Sequence, residues 1–179
     1  MTVVNIPNLI TIGRFLLVPF VVAMIGQGEW KLAFAGFVLA GVSDGVDGWI
    51  ARRFDMRSEL GAYMDPLADK ALLVSIYVSL SIVGQLPPWL AIVVVSRDIM
   101  IMGAVVLSWL LEKPIAINPS FVSKANTLAQ IVFAALILGS LAYGLQQASL
   151  IYAGALVVAG LTTISAGAYL ARWLKHMAS

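Results

Sequence analysis

The sequence predicts an all-α integral membrane protein, a bundle of six transmembrane helices. Of its 179 residues, 61% are hydrophobic and only 11% are charged, whereas soluble domains are about 45–50% apolar and about 25% charged. Apolar runs of spanning length recur along the chain, and basic residues collect on one side of them. The composition excludes a water-soluble globule, a disordered chain and a nucleic-acid binder with a basic face.

Six segments are long and apolar enough to form the predicted helices. A helix needs about 20 predominantly apolar residues to cross the hydrocarbon core of a bilayer. The predicted spans are Leu9–Ile25, Leu32–Ile50, Ala62–Val83, Trp89–Leu111, Phe121–Tyr143 and Leu150–Leu170. No linker or repeat divides them, so we expect a single membrane domain over residues 1–179.

The breaks between the spans have the composition of turns and loops. In chain order they are Gly26–Glu29, Arg52–Glu59, Gly84–Pro88, Glu112–Ser120 and Gly144–Ser149. All five tryptophans fall near predicted span ends, and tryptophan is enriched at the membrane interface, where its ring is half solvated. The tryptophans therefore support the same six boundaries.

The distribution of basic residues predicts the orientation in the membrane. If the N-terminus is inside, the inner segments contain seven Lys and Arg residues, and the outer segments contain only Lys31. The positive-inside rule then places both termini and the loop Arg52–Glu59 in the cytoplasm. The first apolar run has no basic leader and contains Arg14, so we expect no signal peptide. The expected location is the inner, cytoplasmic membrane.

Four aspartates lie within the second and third predicted spans. Each would cost roughly 2.5–3.5 kcal/mol if unpaired in a membrane. Asp44 and Asp47 are three residues apart, and Asp65 and Asp69 are four apart, so each pair shares one helix face. A short loop joins the two spans, which makes them antiparallel neighbours. The four carboxylates are therefore expected to converge near the cytoplasmic end of the bundle.

The residue types in this cluster favour a hard metal site. The chain has no cysteine and one histidine, and oxygen ligands alone suit Mg2+ or Mn2+ rather than zinc or copper. Two divalent cations would balance four carboxylates and suit phosphoryl transfer. Two alternatives stay open: ion pairs with Arg14, Arg97 or Lys70, and a cation- or proton-coupled transporter. Transport sites usually lie at the bilayer midplane, whereas these aspartates lie toward one face.

The acidic residues belong to a longer pattern. Asp44 begins the run Asp-Gly-Val-Asp-Gly-Trp-Ile-Ala-Arg, followed after eight residues by Gly61 and then by Asp65 and Asp69. This run resembles the signature of the CDP-alcohol phosphotransferase family, D-x2-D-G-x2-A-R-x8-G-x3-D-x3-D. Every fixed position and every gap matches, and the six-span layout extends the resemblance over nearly the whole chain.

The resemblance implies an enzyme that transfers a phosphatidyl group from CDP-diacylglycerol to an alcohol and releases CMP. It implies metal ligation by Asp44, Asp47 and Asp65, with Asp69 sharing the metal site and acting as general base. The expected cofactors are two Mg2+ or Mn2+ ions, and the expected assembly is a homodimer in the bilayer. The residues implied to contact CDP-diacylglycerol are Asn8, Thr11, Gly48, Arg52 and Ser58. Asn8 could instead cap the first helix.

Two polar patches in the later spans bear on the acceptor alcohol. Ser96–Asp98 and Pro119–Thr127 resemble segments of CMP-forming cardiolipin synthases, which implies phosphatidylglycerol as acceptor and cardiolipin as product. Phosphatidylglycerophosphate synthases share Asp65–Lys70 with that group, so glycerol 3-phosphate is the alternative acceptor.

Three basic residues are the candidates for binding an anionic acceptor. Arg97 and Lys124, together with Arg14, are expected to bind its phosphate. Arg97 alternatively pairs with Asp98 or with an aspartate of the second span. Lys124 alternatively extends its amine from the membrane to the interface.

Overall fold

A computed structural model describes the backbone of residues 6–53, 59–111, 121–145 and 148–178. It describes the side chains of residues 13–46, 53, 70–111, 121–145 and 148–177. Within these residues all regular structure is α-helical, which confirms the predicted fold class. The six helices are α1 (Ile6–Gly26), α2 (Trp30–Arg53), α3 (Glu59–Ile82), α4 (Pro88–Leu110), α5 (Phe121–Tyr143) and α6 (Ala148–Ala178).

Each helix corresponds to one predicted span. Among the described residues, α4, α5 and α6 are long and apolar enough to cross a membrane. Shorter apolar stretches lie in α1 at Gly13–Gly26 and in α3 at Lys70–Ile82. The helical bundle is thus consistent with a membrane protein, and the count of six spans stays a prediction.

Glycine ends three of the helices in the same way. Gly28, Gly84 and Gly144 have φ values of 74°, 76° and 68°, a left-handed conformation that glycine adopts without steric cost. The residue after each glycine donates its N–H to a carbonyl five residues earlier: Glu29 to Met24, Gln85 to Leu80 and Leu145 to Ser140. This pattern satisfies the last carbonyls of a helix. The turns expected at these glycines are therefore present.

The first compact unit, unit 1, contains α1, α2, α3 and the part of α5 from Ala134 onward. In it, α1 packs against both α2 and α3. Val21 and Ile25 of α1, Ala33 of α2, and Ile76 of α3 are fully buried. A Cβ atom on Gly36 would lie 2.9 Å from Cγ2 of Val21, so α1 and α2 approach more closely than a larger residue would allow. Unit 1 therefore joins both aspartate-bearing helices to α1.

The second compact unit, unit 2, contains α4, α5 as far as Phe133, and α6. The α4 and α6 helices pack together, and the indole N–H of Trp173 donates to Ser108 Oγ at 2.8 Å and to the Ala104 carbonyl at 3.0 Å. Further along α6, a Cβ atom on Gly154 would overlap the ring of Phe133 on α5. Small residues that permit such approach are typical of membrane helix interfaces. The expectation of a single domain over the whole chain stays a prediction.

We expect Gly154→Ala to destabilise the protein because the new methyl group would overlap the ring of Phe133. Overpacking of this kind costs about 1–3 kcal/mol, and a chain of this size loses roughly 2–4 °C of melting midpoint per kcal/mol. The measurement is thermal unfolding of the purified protein in detergent. Gly160→Ala is the matched control on the same helix, because a Cβ atom there meets nothing within 4 Å. Equal midpoints for the two variants would contradict the close packing of α5 and α6 within unit 2.

Candidate functional site

Asp44 forms an ion pair with Arg14 in unit 1. Its Oδ1 atom lies 2.9 Å from Nη1 of Arg14, and the side chains are 45% and 1% exposed, respectively. Asp44 lies on α2 and Arg14 on α1, so the contact crosses the interface between these packed helices. A buried guanidinium without a counter-charge is strongly unfavourable. The ion pair that the sequence left open as an alternative for Asp44 is thus present.

The remaining aspartates of the motif lie on the helices expected for them. Asp47 belongs to α2, and Asp65 and Asp69 belong to α3, but their side chains are outside the described residues. Among the side chains that the structure describes, no group of three or more His, Cys, Asp or Glu comes together. Asp44, with nearly half of its side chain exposed, is accessible to a hard cation. The donor chemistry fits Mg2+ or Mn2+, and the complete metal site stays a prediction.

The residues predicted to bind CDP-diacylglycerol are, like Asp47, Asp65 and Asp69, without described side chains. Their side chains, and for Ser58 also the backbone, are outside the described part of the chain. The residues concerned are Asn8 and Thr11 on α1, Gly48 and Arg52 on α2, and Ser58 in the segment between α2 and α3. The structure therefore places four of them on helices of unit 1 and leaves their contacts with a nucleotide as predictions.

Arg97 forms the centre of a buried polar cluster in unit 2. Its Nη1 atom donates to Oδ1 of Asp98 at 2.7 Å, and its Nη2 atom donates to Oγ of Ser165 at 3.0 Å and also to Oγ of Ser123. Arg97 is 5% exposed. The cluster joins α4, α5 and α6 through one guanidinium group, and the local ion pair with Asp98 is the alternative that the sequence left open for Arg97.

A second set of buried polar side chains lies one turn along α5. The Thr162 hydroxyl donates to Oδ1 of Asn126 at 2.9 Å, and the Gln130 amide lies 3.3 Å from the Thr162 hydroxyl and donates to it. All three residues are at most 1% exposed. Interhelical hydrogen bonds of this type are found between membrane helices, where no water competes for the polar groups. They fix the relative register of α5 and α6 within unit 2.

Lys124 lies on the first turn of α5, beside Ser123, and its side chain is exposed. Arg97 fixes this turn through its hydrogen bond to Ser123. Lys124 thus presents a positive charge next to the polar cluster of unit 2. Arg14 belongs to unit 1 and Arg97 and Lys124 belong to unit 2, so a common acceptor site for the three residues stays a prediction.

Two of these contacts are not singled out by the sequence alone. It leaves Arg14 as one of three candidate partners for the aspartates without selecting it. A signal is present, since Arg14 lies about 12 Å from the N-terminal end of α1 and Asp44 about 14 Å from the C-terminal end of α2, at 1.5 Å per residue. Nor does the sequence single out Ser165, a small polar residue in an apolar span, whose contact with Arg97 depends on how α6 is rotated.

Comparison with known proteins identifies a family. A family model described as CDP-alcohol phosphatidyltransferase matches residues 4–176. The chain is 34% identical over 154 positions to a "Probable cardiolipin synthase (CMP-forming)" of Drosophila melanogaster, covering 77% of this chain and 48% of that protein. It is 34% identical over 147 positions to the "Cardiolipin synthase (CMP-forming)" of Homo sapiens, covering 73% of this chain and 49% of that protein. The chain thus spans about half the length of these relatives.

A bacterial relative matches over a larger share of both chains. A "Probable phosphatidylglycerophosphate synthase" of Mycobacterium tuberculosis is 32% identical over 181 positions, covering 98% of this chain and 84% of that protein. The relatives therefore carry two different enzyme names, which correspond to different acceptor alcohols.

We expect Arg97→Gln and Asp98→Asn each to destabilise the protein strongly, since each leaves one buried charge without its partner. Breaking a buried pair in this way costs roughly 3–5 kcal/mol. The double variant leaves neither charge, so its loss in free energy of unfolding should be smaller than the sum of the losses in the two single variants. SDS titration of the purified protein in mixed micelles measures each free energy. Additive losses would show that Arg97 and Asp98 do not depend on each other.

Proposed function

The chain belongs to the CDP-alcohol phosphatidyltransferase family, and from this premise we propose that it transfers the phosphatidyl group of CDP-diacylglycerol to an alcohol and releases CMP. The observation that carries the proposal is the complete motif from Asp44 to Asp69 inside the matched region. Each residue type in the motif has a chemical use in this reaction.

The proposed reaction is a displacement at the phosphorus atom that bears diacylglycerol. Asp69 accepts the proton of the acceptor hydroxyl, because an alcohol is a weak nucleophile until a base removes that proton. The hydroxyl oxygen then bonds to phosphorus, the bond from phosphorus to the bridging oxygen breaks, and CMP leaves with the electron pair. Asp44, Asp47 and Asp65 would hold divalent cations, which neutralise the diphosphate charge and thereby stabilise the leaving group.

The donor is proposed to enter from the cytoplasmic side of the membrane. Its CDP group would contact Gly48, Arg52 and Ser58, and the segment containing Asn8 and Thr11 would close over the nucleotide. A guanidinium such as that of Arg52 suits this task because its planar set of donors matches phosphate oxygens. The acyl chains remain in the lipid, so only the headgroup must reach the carboxylates.

Phosphatidylglycerol is the proposed acceptor, with cardiolipin as the product. The fly and human relatives are named cardiolipin synthases, which agrees with the segments around Arg97 and Lys124. Lys124 is proposed to bind the acceptor phosphate directly, because its side chain is exposed. Arg97 is proposed to support this binding from the buried polar cluster of unit 2.

Glycerol 3-phosphate is the second candidate acceptor, and the comparison gives it specific support. The mycobacterial phosphatidylglycerophosphate synthase is covered over 84% of its length, against about half for the cardiolipin synthases. Both acceptors carry a phosphate, so Lys124 suits either one. We further propose a homodimer in the cytoplasmic membrane with its active site facing the cytoplasm. A transporter remains the candidate from a different class.

We expect Asp69→Asn to abolish most turnover while leaving cation and CDP-diacylglycerol binding close to wild type. The amide keeps the shape of the side chain but cannot accept the hydroxyl proton, and loss of a general base costs about 10²–10⁴-fold in rate. CMP release measures turnover, and a binding assay with CDP-diacylglycerol checks that the site is intact. Normal turnover in this variant would contradict the role of Asp69 as base.

The acceptor is tested with purified protein, CDP-diacylglycerol and Mg2+ or Mn2+, by following CMP and lipid products together. We expect cardiolipin and CMP when phosphatidylglycerol is added, and CMP at background level without an acceptor. Formation of phosphatidylglycerophosphate from glycerol 3-phosphate would support the same reaction class but show that glycerol 3-phosphate, rather than phosphatidylglycerol, is the acceptor. A folded preparation that releases no CMP with any alcohol would contradict the enzyme and favour a transporter.

A further inference from the structure

We propose that Arg14 is the built-in counter-charge of the metal-free site and holds Asp44 in place until divalent cations bind. Under this proposal Arg14 is a positioning residue that acts through Asp44 rather than a contact for the substrate. The inference rests on the proposed function, because it takes the four aspartates to be a cation site.

The first support is the geometry of the pair. Nη1 of Arg14 and Oδ1 of Asp44 are 2.9 Å apart, across the packed interface of α1 and α2. Arg14 is the one charged residue in the sequence of α1. Water does not stabilise the charge of Arg14 in this otherwise uncharged helix, because the side chain is only 1% exposed. The carboxylate of Asp44 supplies an opposite charge to this buried guanidinium.

The second support is the difference in exposure between the two partners. Arg14 is almost completely enclosed, whereas Asp44 is 45% exposed. A phosphate of a substrate cannot approach a side chain with 1% exposure without a rearrangement of α1 or α2. A cation can approach Asp44, because nearly half of its side chain is exposed. The geometry thus favours Arg14 as a support for Asp44 over Arg14 as a contact for the acceptor.

The third support is the charge balance of the motif. Four aspartates carry four negative charges, and two divalent cations would balance them without any contribution from Arg14. Without cations, the proposed site would keep these four negative charges, and Arg14 contacts the first of the four aspartates directly. The stabilising effect of Arg14 should therefore be large in the metal-free protein and smaller in the cation-loaded protein.

The experiment compares melting midpoints of the purified protein in detergent, in EDTA and during a titration with Mn2+ or Mg2+, with no substrate present. We expect Arg14→Gln to lower the midpoint in EDTA by at least about 5 °C. Saturating cation should recover most of that loss, so the cation-induced rise should be larger in Arg14→Gln than in wild type. Arg14→Lys keeps the positive charge, so its melting midpoint in EDTA should lie between those of wild type and Arg14→Gln.

Arg53→Gln is the matched control. Arg53 is an exposed arginine at the end of α2, so its replacement removes the same charge from the same unit without touching Asp44. We expect it to change the midpoint little, and by the same amount with and without cation.

A double variant, Arg14→Gln with Asp44→Asn, keeps the proposal testable if Arg14→Gln alone does not fold. Removing both charges should give a higher midpoint in EDTA than removing either charge alone. A double variant that is no more stable than the single variants would overturn the pairing.

Four results decide between this inference and the proposed function. Equal losses for Arg14→Gln in EDTA and in cation would show a purely structural pair and overturn the inference. An unchanged midpoint in both conditions would also overturn it. If wild type shows no cation-induced rise and releases no CMP, the cation site itself fails and the inference fails with it. A wild type that responds to cation and releases CMP keeps the proposed function, whatever Arg14→Gln does.

Discussion

The constraint on which this structure depends is the cost of placing charge inside an apolar helical bundle. A charged side chain in a membrane requires an opposite charge, a metal ion or a polar pathway nearby. The chain nevertheless carries aspartates and arginines within its apolar runs. A charged residue whose partner lies on another helix restricts which helices can pack together, as Arg14 of α1 and Asp44 of α2 do.

The two compact units meet this constraint in different ways. In unit 1, Arg14 is enclosed but Asp44 remains partly exposed, so one side of the pair is structural and the other is open to a ligand. In unit 2, Arg97 and Asp98 are neighbours on one helix, and serines from two other helices complete the guanidinium contacts. Both partners there are buried. The first arrangement suits a site that exchanges a cation, and the second suits a fixed support.

This division agrees with the demands of the proposed reaction. A lipid substrate keeps its chains in the bilayer, so the protein must bring charged groups to a headgroup at the membrane surface rather than enclose the whole molecule. In unit 1, the aspartates of α2 and α3 are the proposed cation ligands. In unit 2, the first turn of α5 presents Lys124 beside the buried polar cluster. Small residues such as Gly36 and Gly154 allow the helices to approach closely enough for these contacts.

The sequence by itself determined the helical class, the six helices, the glycine turns and the motif that identifies the family. These depend on local chemistry: apolar runs, the left-handed conformation of Gly28, Gly84 and Gly144, and fixed spacing along one helix. Only the tertiary structure decided which partners the charged residues take. Arg14 selects Asp44, thirty positions away, and Arg97 selects Ser165 on α6 as well as Asp98. Spacing along the chain does not fix how packed helices are rotated about their axes, and that rotation chooses among the available partners.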